Sequence, residues 1–275
     1  MQKNVKISVI MGVYNCADTL SEAMNSLLAQ TYQDFEVIMC DDGSKDGTRD
    51  IAQRYCDQYP GRFTLLINER NLGLNKTLNK CLHAAKGEYI ARMDGDDISL
   101  PTRFEKEVAF LDANPEFAIV STPMIFFDEN GDWGKGTAIE YPQKSDFNLH
   151  SPFFCHATCM VRKEAYLTVG GYSEDPRTLR FEDCHLWYKM YAHGYVGYNI
   201  QEPLYKMRDD RNAFSRRTLK SRMNAVYVKY IGFKMLNMPW YMYIYIVRTF
   251  VMSLILGLMP ENLYHRLHRS RMKGN

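Results

Sequence analysis

Three carboxylates, Asp94, Asp96 and Asp97, crowd the stretch Tyr89–Pro101, which reads Y-I-A-R-M-D-G-D-D-I-S-L-P. A short apolar run, Tyr89-Ile90-Ala91, leads into them through Arg92 and Met93, and Ser99, Pro101 and a charged amphipathic segment follow. The pattern is that of a buried strand ending in a turn before a helix. Carboxylates this close repel one another unless something positive lies between them. A hard divalent cation suits such a group, with substrate phosphates completing its shell of oxygen ligands. The alternative is an acidic turn in which Asp97 or Ser99 caps the next helix. A second acidic pair, Glu182-Asp183, precedes an amphipathic stretch through Leu186, Trp187, Met190 and Tyr191. A carboxylate in a first helical turn is stabilised by the helix dipole, so capping is the simple reading there and a general base the alternative. His156, inside the apolar run Phe153–Val161, reads as a hydrogen-bonded core residue.

The elements that must position these groups follow from apolar periodicity. Lys6–Val13 and Phe35–Cys40 are near-continuous apolar runs, as expected of central strands covered on both faces. Phe63–Ile67 and Glu88–Met93 are further strands. Helical spacing lies between them. Thr19-x-x-Glu22 fits a capping box ahead of Leu20, Ala23, Met24, Leu27 and Leu28. Ile51, Ala52, Tyr55 and Tyr59 share a face, and so do Leu74, Leu78, Cys81, Leu82 and Ala85, with Gly87 as the expected C-cap. The order β-α-β-α-β-α-β implies a parallel sheet with right-handed crossovers. Arg103–Leu111 reads as a helix, Ala118–Thr122 and Met124–Phe127 as strands, and Trp133–Phe147 as loops.

Ligands of such sheets bind beyond the carboxyl ends of the strands. That rule gathers Tyr14-Asn15, Asp41-Asp42, Asn71 and Asp94/Asp96 on one edge. Neither G-x-G-x-x-G nor G-x-x-x-x-G-K-[ST] follows a strand, which disfavours a dinucleotide cofactor and excludes a P-loop protein. A nucleotide held by acids needs a cation to neutralise its phosphates, so a metal–nucleotide complex is the expected ligand.

The net charge of +2 hides a division. Residues 1–204 carry 20 Lys+Arg against 29 Asp+Glu, whereas residues 205–275 carry 14 against 3. A basic block on an acidic body suggests an anionic partner, membrane or nucleic acid. The seven cysteines are scattered among apolar neighbours, and no second pair completes a zinc site beside Cys155 and Cys159. Free thiols in a reducing cytoplasm account for them. No N-terminal signal is visible, since the run Ile7–Val13 is too short and holds a Gly.

The segments V-I-M-G-V-Y-N, Q-T-Y-Q-D-F-E-V-I-M-C-D-D-G-S-K-D-G-T, N-L-G-L-N-K-T-L-N, G-E-Y-I-A-R-M-D-G-D-D and G-G-Y…F-E-D together resemble glycosyltransferase family 2, over about residues 5–210. The resemblance implies an α/β GT-A fold, a Rossmann-like mostly parallel sheet flanked by helices. It also implies inversion at the anomeric carbon and a divalent metal, Mn2+ or Mg2+. On the motif match, Tyr14 and Asp42 hold the base and ribose of the donor and Asn71 takes a donor-side position. Asp94-Gly95-Asp96 matches the D-x-D motif, with Asp96 the metal ligand and Asp94 on the ribose or metal side. Asp183 matches the second acid of the E-D motif, the general base, and the role of Glu182 is left open. Gly12 stands where many relatives have Pro or a small polar residue. The Q-x-x-R-W signature of processive synthases is absent, so one sugar per encounter is expected.

The expected division is a catalytic domain over residues 1–215, its donor half about 1–100 and its acceptor half about 101–215. A basic, apolar, helical region over 216–275 follows. A UDP-sugar is the expected donor, and a lipid-linked oligosaccharide or surface-polysaccharide intermediate the expected acceptor. Sugar and acceptor choice should lie in loops near Trp133–His156 and Gly171–Arg180. Two rival readings fit the residues less well. A nucleotidyltransferase needs a basic phosphate loop after the first strand, where this chain has Asn15-Cys16-Ala17-Asp18, and a dead-site scaffold would be expected to lose Asp96 or Asp183.

Met238–Pro260 is nominally long enough to cross a bilayer. Arg248 near its middle, the short uninterrupted run Thr249–Met259, and basic residues at both ends (Lys229 and Lys234 before, Arg266, Arg269, Arg271 and Lys273 after) argue against crossing. Trp240, Tyr241, Tyr243 and Tyr245 cluster as interfacial aromatics do. The expectation is a helix or re-entrant hairpin in the anionic inner leaflet, at the cytoplasmic face of the cell membrane, and no nucleic acid partner. A core helix packed on the catalytic domain is the alternative.

Overall fold

The computed structural model describes residues 5–148, 153–208 and 218–258. Strands β1 (Ile7–Val13) and β2 (Phe35–Asp41) are buried along almost their whole length, which is why both read as unbroken apolar runs. They alternate with helices α1 (Ala17–Leu28), α2 (Thr48–Gln58) and α3 (Leu74–Ala84), and with strands β3 (Phe63–Ile67) and β4 (Tyr89–Arg92). β1 pairs in parallel with β2 on one side and β4 on the other, Ile7 lying opposite both Phe35 and Tyr89. Period-two alternation then splits the side chains between two layers. Val9, Met11, Val37 and Met39 pack with Leu20, Met24 and Leu27 of α1. Ile10, Ile38 and Ile90 pack on the other face with Leu78 and Cys81 of α3.

After β4 come a short strand β5 (Ile98–Ser99), helix α4 (Arg103–Ala113) and strands β6 (Phe117–Ser121), β7 (Met124–Asp128) and β8 (Gly131–Lys135). Then follow β9 (Met160–Arg162), α5 (Lys163–Thr168), α6 (Glu182–Ala192), β10 (Val196–Asn199) and β11 (Tyr205–Arg208). The main sheet has the order β10-β6-β9-β4-β1-β2-β3. It is parallel except for β9, which is antiparallel to both neighbours. A second sheet, β5-β11-β7-β8, bridges the two halves of the chain. β11 runs antiparallel to β5 and parallel to β7, so a strand near residue 205 reaches back to the acidic turn near residue 95. This is the mostly parallel GT-A architecture.

Several local expectations differ from what forms. Helix α1 starts at Ala17, ahead of the expected capping box. Thr19 instead donates to the carbonyls of Cys16 and Gly95, and Glu22 pairs with Arg208. The tertiary contact has taken both polar groups from the local cap. Gly87 is not the α3 cap, which is Ala85. A Cβ at Gly87 would lie 2.4 Å from the Ser8 amide nitrogen, so close backbone approach is what demands glycine there. Neither Asp97 nor Ser99 caps α4, which follows Thr102. Trp133 lies on β8 and stacks on Phe126, centroids 5.3 Å apart, where loops alone were expected. The seven cysteines are free thiols.

Helices α7 (Leu219–Met235) and α8 (Ile244–Leu258) complete the described chain, joined through a 3-10 turn at Trp240–Tyr243. Val228, Phe233 and Leu236 enter the same apolar cluster as Trp187 and Tyr188 of α6. A Cβ at Gly232 would sit 2.4 Å from the Tyr188 ring, so the two helices are in intimate contact. The expected boundary at 215/216 lies outside the described residues, as do Arg266, Arg269, Arg271 and Lys273.

Helix α8 faces inward through Tyr245, Ile246, Thr249 and Ser253. Thr249 and Ser253 are buried, and the Ser253 hydroxyl donates to the Arg222 carbonyl of α7. Its apolar residues Ile244, Val247, Val251, Leu254 and Ile255 face solvent. Arg248 is exposed beside them, and Trp240 is 86% exposed at the near end. Among the described residues, one helical stretch, Trp240–Gly257, is long and apolar enough to cross a membrane by length and composition, and only 11% of it is buried.

Candidate active site

The carboxyl ends of β1, β2 and β4 open onto a cleft of about 870 Å³. Each strand end is shaped by a specific polar device. Beyond β1, Asn15 adopts a left-handed backbone (φ 48°), which asparagine tolerates better than most residues. Its carbonyl oxygen Oδ1 accepts from the Lys45 amide at 2.9 Å, and its own amide donates to Ser44 Oγ at 3.0 Å. This leaves Tyr14, 46% exposed, on the cleft wall.

At the end of β2 two adjacent acids take different tasks. Asp41 is fully buried and pairs with Arg49 at 2.9 Å. Asp42 also lines the cleft, and its carboxylate is an organiser. Oδ1 accepts from Asn68 Nδ2 at 2.9 Å and the Leu72 amide at 2.8 Å, and Oδ2 accepts from the Gly73 amide at 3.0 Å. These bonds hold the Asn71–Gly73 turn, and Asn71 with it, against the cleft.

Past β4, the carboxylate oxygens of Asp94, Asp96 and Asp97 lie within 4.8 Å of one another. Asp94 and Asp96 line the cleft, and Asp97 turns inward. Arg92, buried beneath them, forms an ion pair with Asp94. Asp97 Oδ1 accepts from the Arg208 amide at 2.8 Å, so β11 fixes the turn from behind. Burial raises the Asp96 carboxyl above its ordinary range, and the Asp94 charge raises it further. Asp97 is pushed well above its range by burial and by both neighbouring acids. Such mutual repulsion among hard oxygen donors is what a divalent cation would relieve, so these residues fit a metal.

The acid pair opens α6. Glu182 lines the cleft; Asp183 is not among its lining residues. Oxygen Oε2 of Glu182 is sealed from solvent with no hydrogen-bond partner. Burial, then the Asp183 charge, pushes its carboxyl up to about 7. Burial also raises Asp183, whose Oδ1 accepts from the Cys184 amide at 2.7 Å. His156 bonds to the Tyr172 hydroxyl at 2.7 Å, and burial holds it well below its ordinary range. It is the hydrogen-bonded core residue expected.

The cleft thus brings together Tyr14, Asp42, Asn71, Asp94 and Asp96. It also contains residues that sequence reasoning missed. Arg208 lines it, donating from Nε to the Asp96 carbonyl at 2.9 Å and pairing with Glu22. Thr218, Ser221 and Asn224 bring α7 to the wall. No local signal marks them, because β11 and α7 reach the cleft only through long-range pairing.

A doubly layered, mostly parallel sheet whose strand ends gather a carboxylate cluster in an open cleft defines a GT-A glycosyltransferase. Residues 8–170 match the model of Glycosyl transferase family 2, and the chain belongs to that family. It is 42% identical over 272 residues to EpsE of Bacillus subtilis (strain 168), named as a glycosyltransferase, covering 99% of this chain and 96% of that one. It is 33% identical to the Escherichia coli UDP-Gal:alpha-D-GlcNAc-diphosphoundecaprenol beta-1,3-galactosyltransferase, covering 81% and 79%. The mannosyltransferase PcManGT from Pyrobaculum calidifontis, solved with GDP-Man and Mn2+, superposes with a TM-score of 0.66 at 19% identity, over 98% of this chain and 81% of that one.

Proposed function

We propose that this protein is an inverting, non-processive glycosyltransferase. It moves one sugar from a UDP-sugar to a hydroxyl of a lipid-linked oligosaccharide or surface-polysaccharide intermediate, at the cytoplasmic face of the membrane. The observation that carries the reading is one cleft holding Asp42, the Asp94/Asp96 pair and Glu182 together. A UDP donor and a lipid-linked acceptor are supported by the name of the Escherichia coli relative.

Tyr14 and Asp42 bind the base and ribose, Asp42 acting in part through the Asn71–Gly73 turn that it holds. Asp94 and Asp96 would hold a divalent cation, Mn2+ or Mg2+, which supplies Lewis-acid stabilisation to the departing diphosphate. Arg92 beneath Asp94 pairs with that carboxylate and orients it. The acceptor oxygen bonds to the anomeric carbon as the sugar–phosphate bond breaks, and the nucleoside diphosphate leaves with the bonding pair. The proton lost by the acceptor hydroxyl passes to a carboxylate, a contribution of roughly 10²–10⁴-fold.

Asp183 is that base on the motif match. Glu182 is the second reading, favoured by its place on the cleft wall and its unpartnered Oε2. The catalytic body spans about residues 1–215, α7 adds to its cleft wall, and the remainder of 216–275 attaches it to anionic lipid.

Incubation with a panel of UDP-, GDP- and dTDP-sugars, with Mn2+ or Mg2+ and without acceptor, tests the donor. Release of UDP from one UDP-sugar is expected. Turnover confined to GDP- or dTDP-sugars would overturn the base assignment.

A further inference from the structure

The cleft is acidic, and the two basic side chains among its described lining residues are used differently. Asp18, Asp42, Asp94, Asp96 and Glu182 line it, and among the described lining residues the only cations are Arg180 and Arg208. Arg208 spends its guanidinium on Glu22 and the Asp96 carbonyl, and lies 4.5 Å from the Phe127 ring centre. The Arg180 guanidinium has no partner among the described residues.

The backbone makes that isolation informative. Arg180 sits at φ 70°, in the left-handed region that favours glycine. The segment around it is fixed from several sides. Asn224 of α7 donates to the Leu179 carbonyl at 3.1 Å, Asn75 of α3 to the Ser173 carbonyl, and the Phe181 amide to the Thr178 carbonyl at 2.9 Å. Leu179 lies against Gly73, on the turn that Asp42 holds. An arginine therefore occupies a position where glycine would be less strained, its charge meets no partner among the described residues, and it lines the cleft. Strained backbone held by its surroundings at a ligand site is the usual company of a functional side chain.

We infer that Arg180 binds the phosphate chain of a ligand. Its planar fork of donors matches phosphate oxygens. It also adds positive charge for an anionic guest to a cleft rich in acid. The inference rests on the reading of the cleft as a nucleotide-sugar site. The diphosphate belongs either to the donor nucleotide or to a lipid-linked acceptor, and the two are separable by experiment.

The variant Arg180→Gly removes the guanidinium without straining the backbone, and Arg180→Lys retains a charge. Calorimetry of the full-length protein in Mn2+ with UDP, uridine and farnesyl diphosphate reads both sources. If the donor diphosphate is the guest, Arg180→Gly weakens UDP about 10- to 100-fold, the worth of one or two charge-assisted hydrogen bonds, and leaves uridine unchanged. If the acceptor diphosphate is the guest, the same loss falls on farnesyl diphosphate, measured with UDP saturating. Arg180→Lys should recover part of either loss. Unchanged binding of both diphosphates in Arg180→Gly, or equal losses for UDP and uridine, would overturn the inference. Failure of the wild-type protein to bind UDP would instead contradict the nucleotide-sugar reading on which it rests.

Discussion

At the scale of single residues, the proposed mechanism turns on which acid of the Glu182–Asp183 pair would take the proton. Asp183→Asn should leave UDP affinity nearly intact and cut turnover by about two or more orders of magnitude, because a base acts only in the transition state. Glu182→Gln serves as its comparison. If Glu182 is the base, it alone carries that loss, and the wild-type rate should climb as pH rises through about 7, where its carboxyl sheds its proton. The sign follows from the base needing the ionised form. Should both variants keep near-normal rates, the acid pair would be a structural start to α6. The D-x-D acids and Asp42 were readable in the sequence because each ends an apolar strand. That Asp42 spends its carboxylate on Asn68, Leu72 and Gly73 was not, since those bonds depend on how α3 docks. Arg208 was illegible for the same reason, being 112 positions from the Asp96 carbonyl that it touches.

At the scale of elements, the four central strands and three intervening helices were legible because apolar periodicity suffices for a sheet buried on both faces. The capping box at Thr19 and the C-cap at Gly87 were misread where a tertiary partner outcompeted a local one. α7 and α8 show the limit of reading composition alone. α7 belongs to the core through Val228 and Phe233, so removing everything after residue 217 would strip core residues as well as any anchor. α8 is the better probe, since Val247, Val251 and Ile255 face solvent. Burying each such residue in lipid is worth about 1.5–3 kcal/mol, against about 1 kcal/mol for each basic residue on anionic headgroups. The apolar stripe should therefore dominate. Full-length protein is expected to float with anionic liposomes and to stay bound at 1 M salt, about the point where the Debye length falls to 3 Å. The double change Val251→Glu and Ile255→Glu should release it without altering its circular dichroism. Wild-type protein left in the soluble fraction at low salt would refute membrane attachment.

At the scale of the molecule, the parts share one geometry. The donor edge of the sheet, the acid pair of α6 and the first turns of α7 meet in the cleft, and α8 packs on the outer side of α7 with its apolar face outward. A lipid surface along α8 would place a lipid-linked hydroxyl within reach of the same helix that walls the cleft. The sequence divided catalytic body from basic tail by charge. It held no sign that α7 serves both, because helix pairing leaves no mark on composition. The proposed transfer needs a metal-assisted nucleotide-sugar site, and calorimetry of UDP binding with and without Mn2+ tests for one most directly. Wild-type protein should bind UDP at least tenfold more tightly with the ion, and Asp96→Asn, which keeps the shape of the side chain and removes a charged ligand oxygen, should bind UDP equally with and without it. An undiminished Mn2+ effect in Asp96→Asn, or no binding of UDP by the wild type under either condition, would contradict the account.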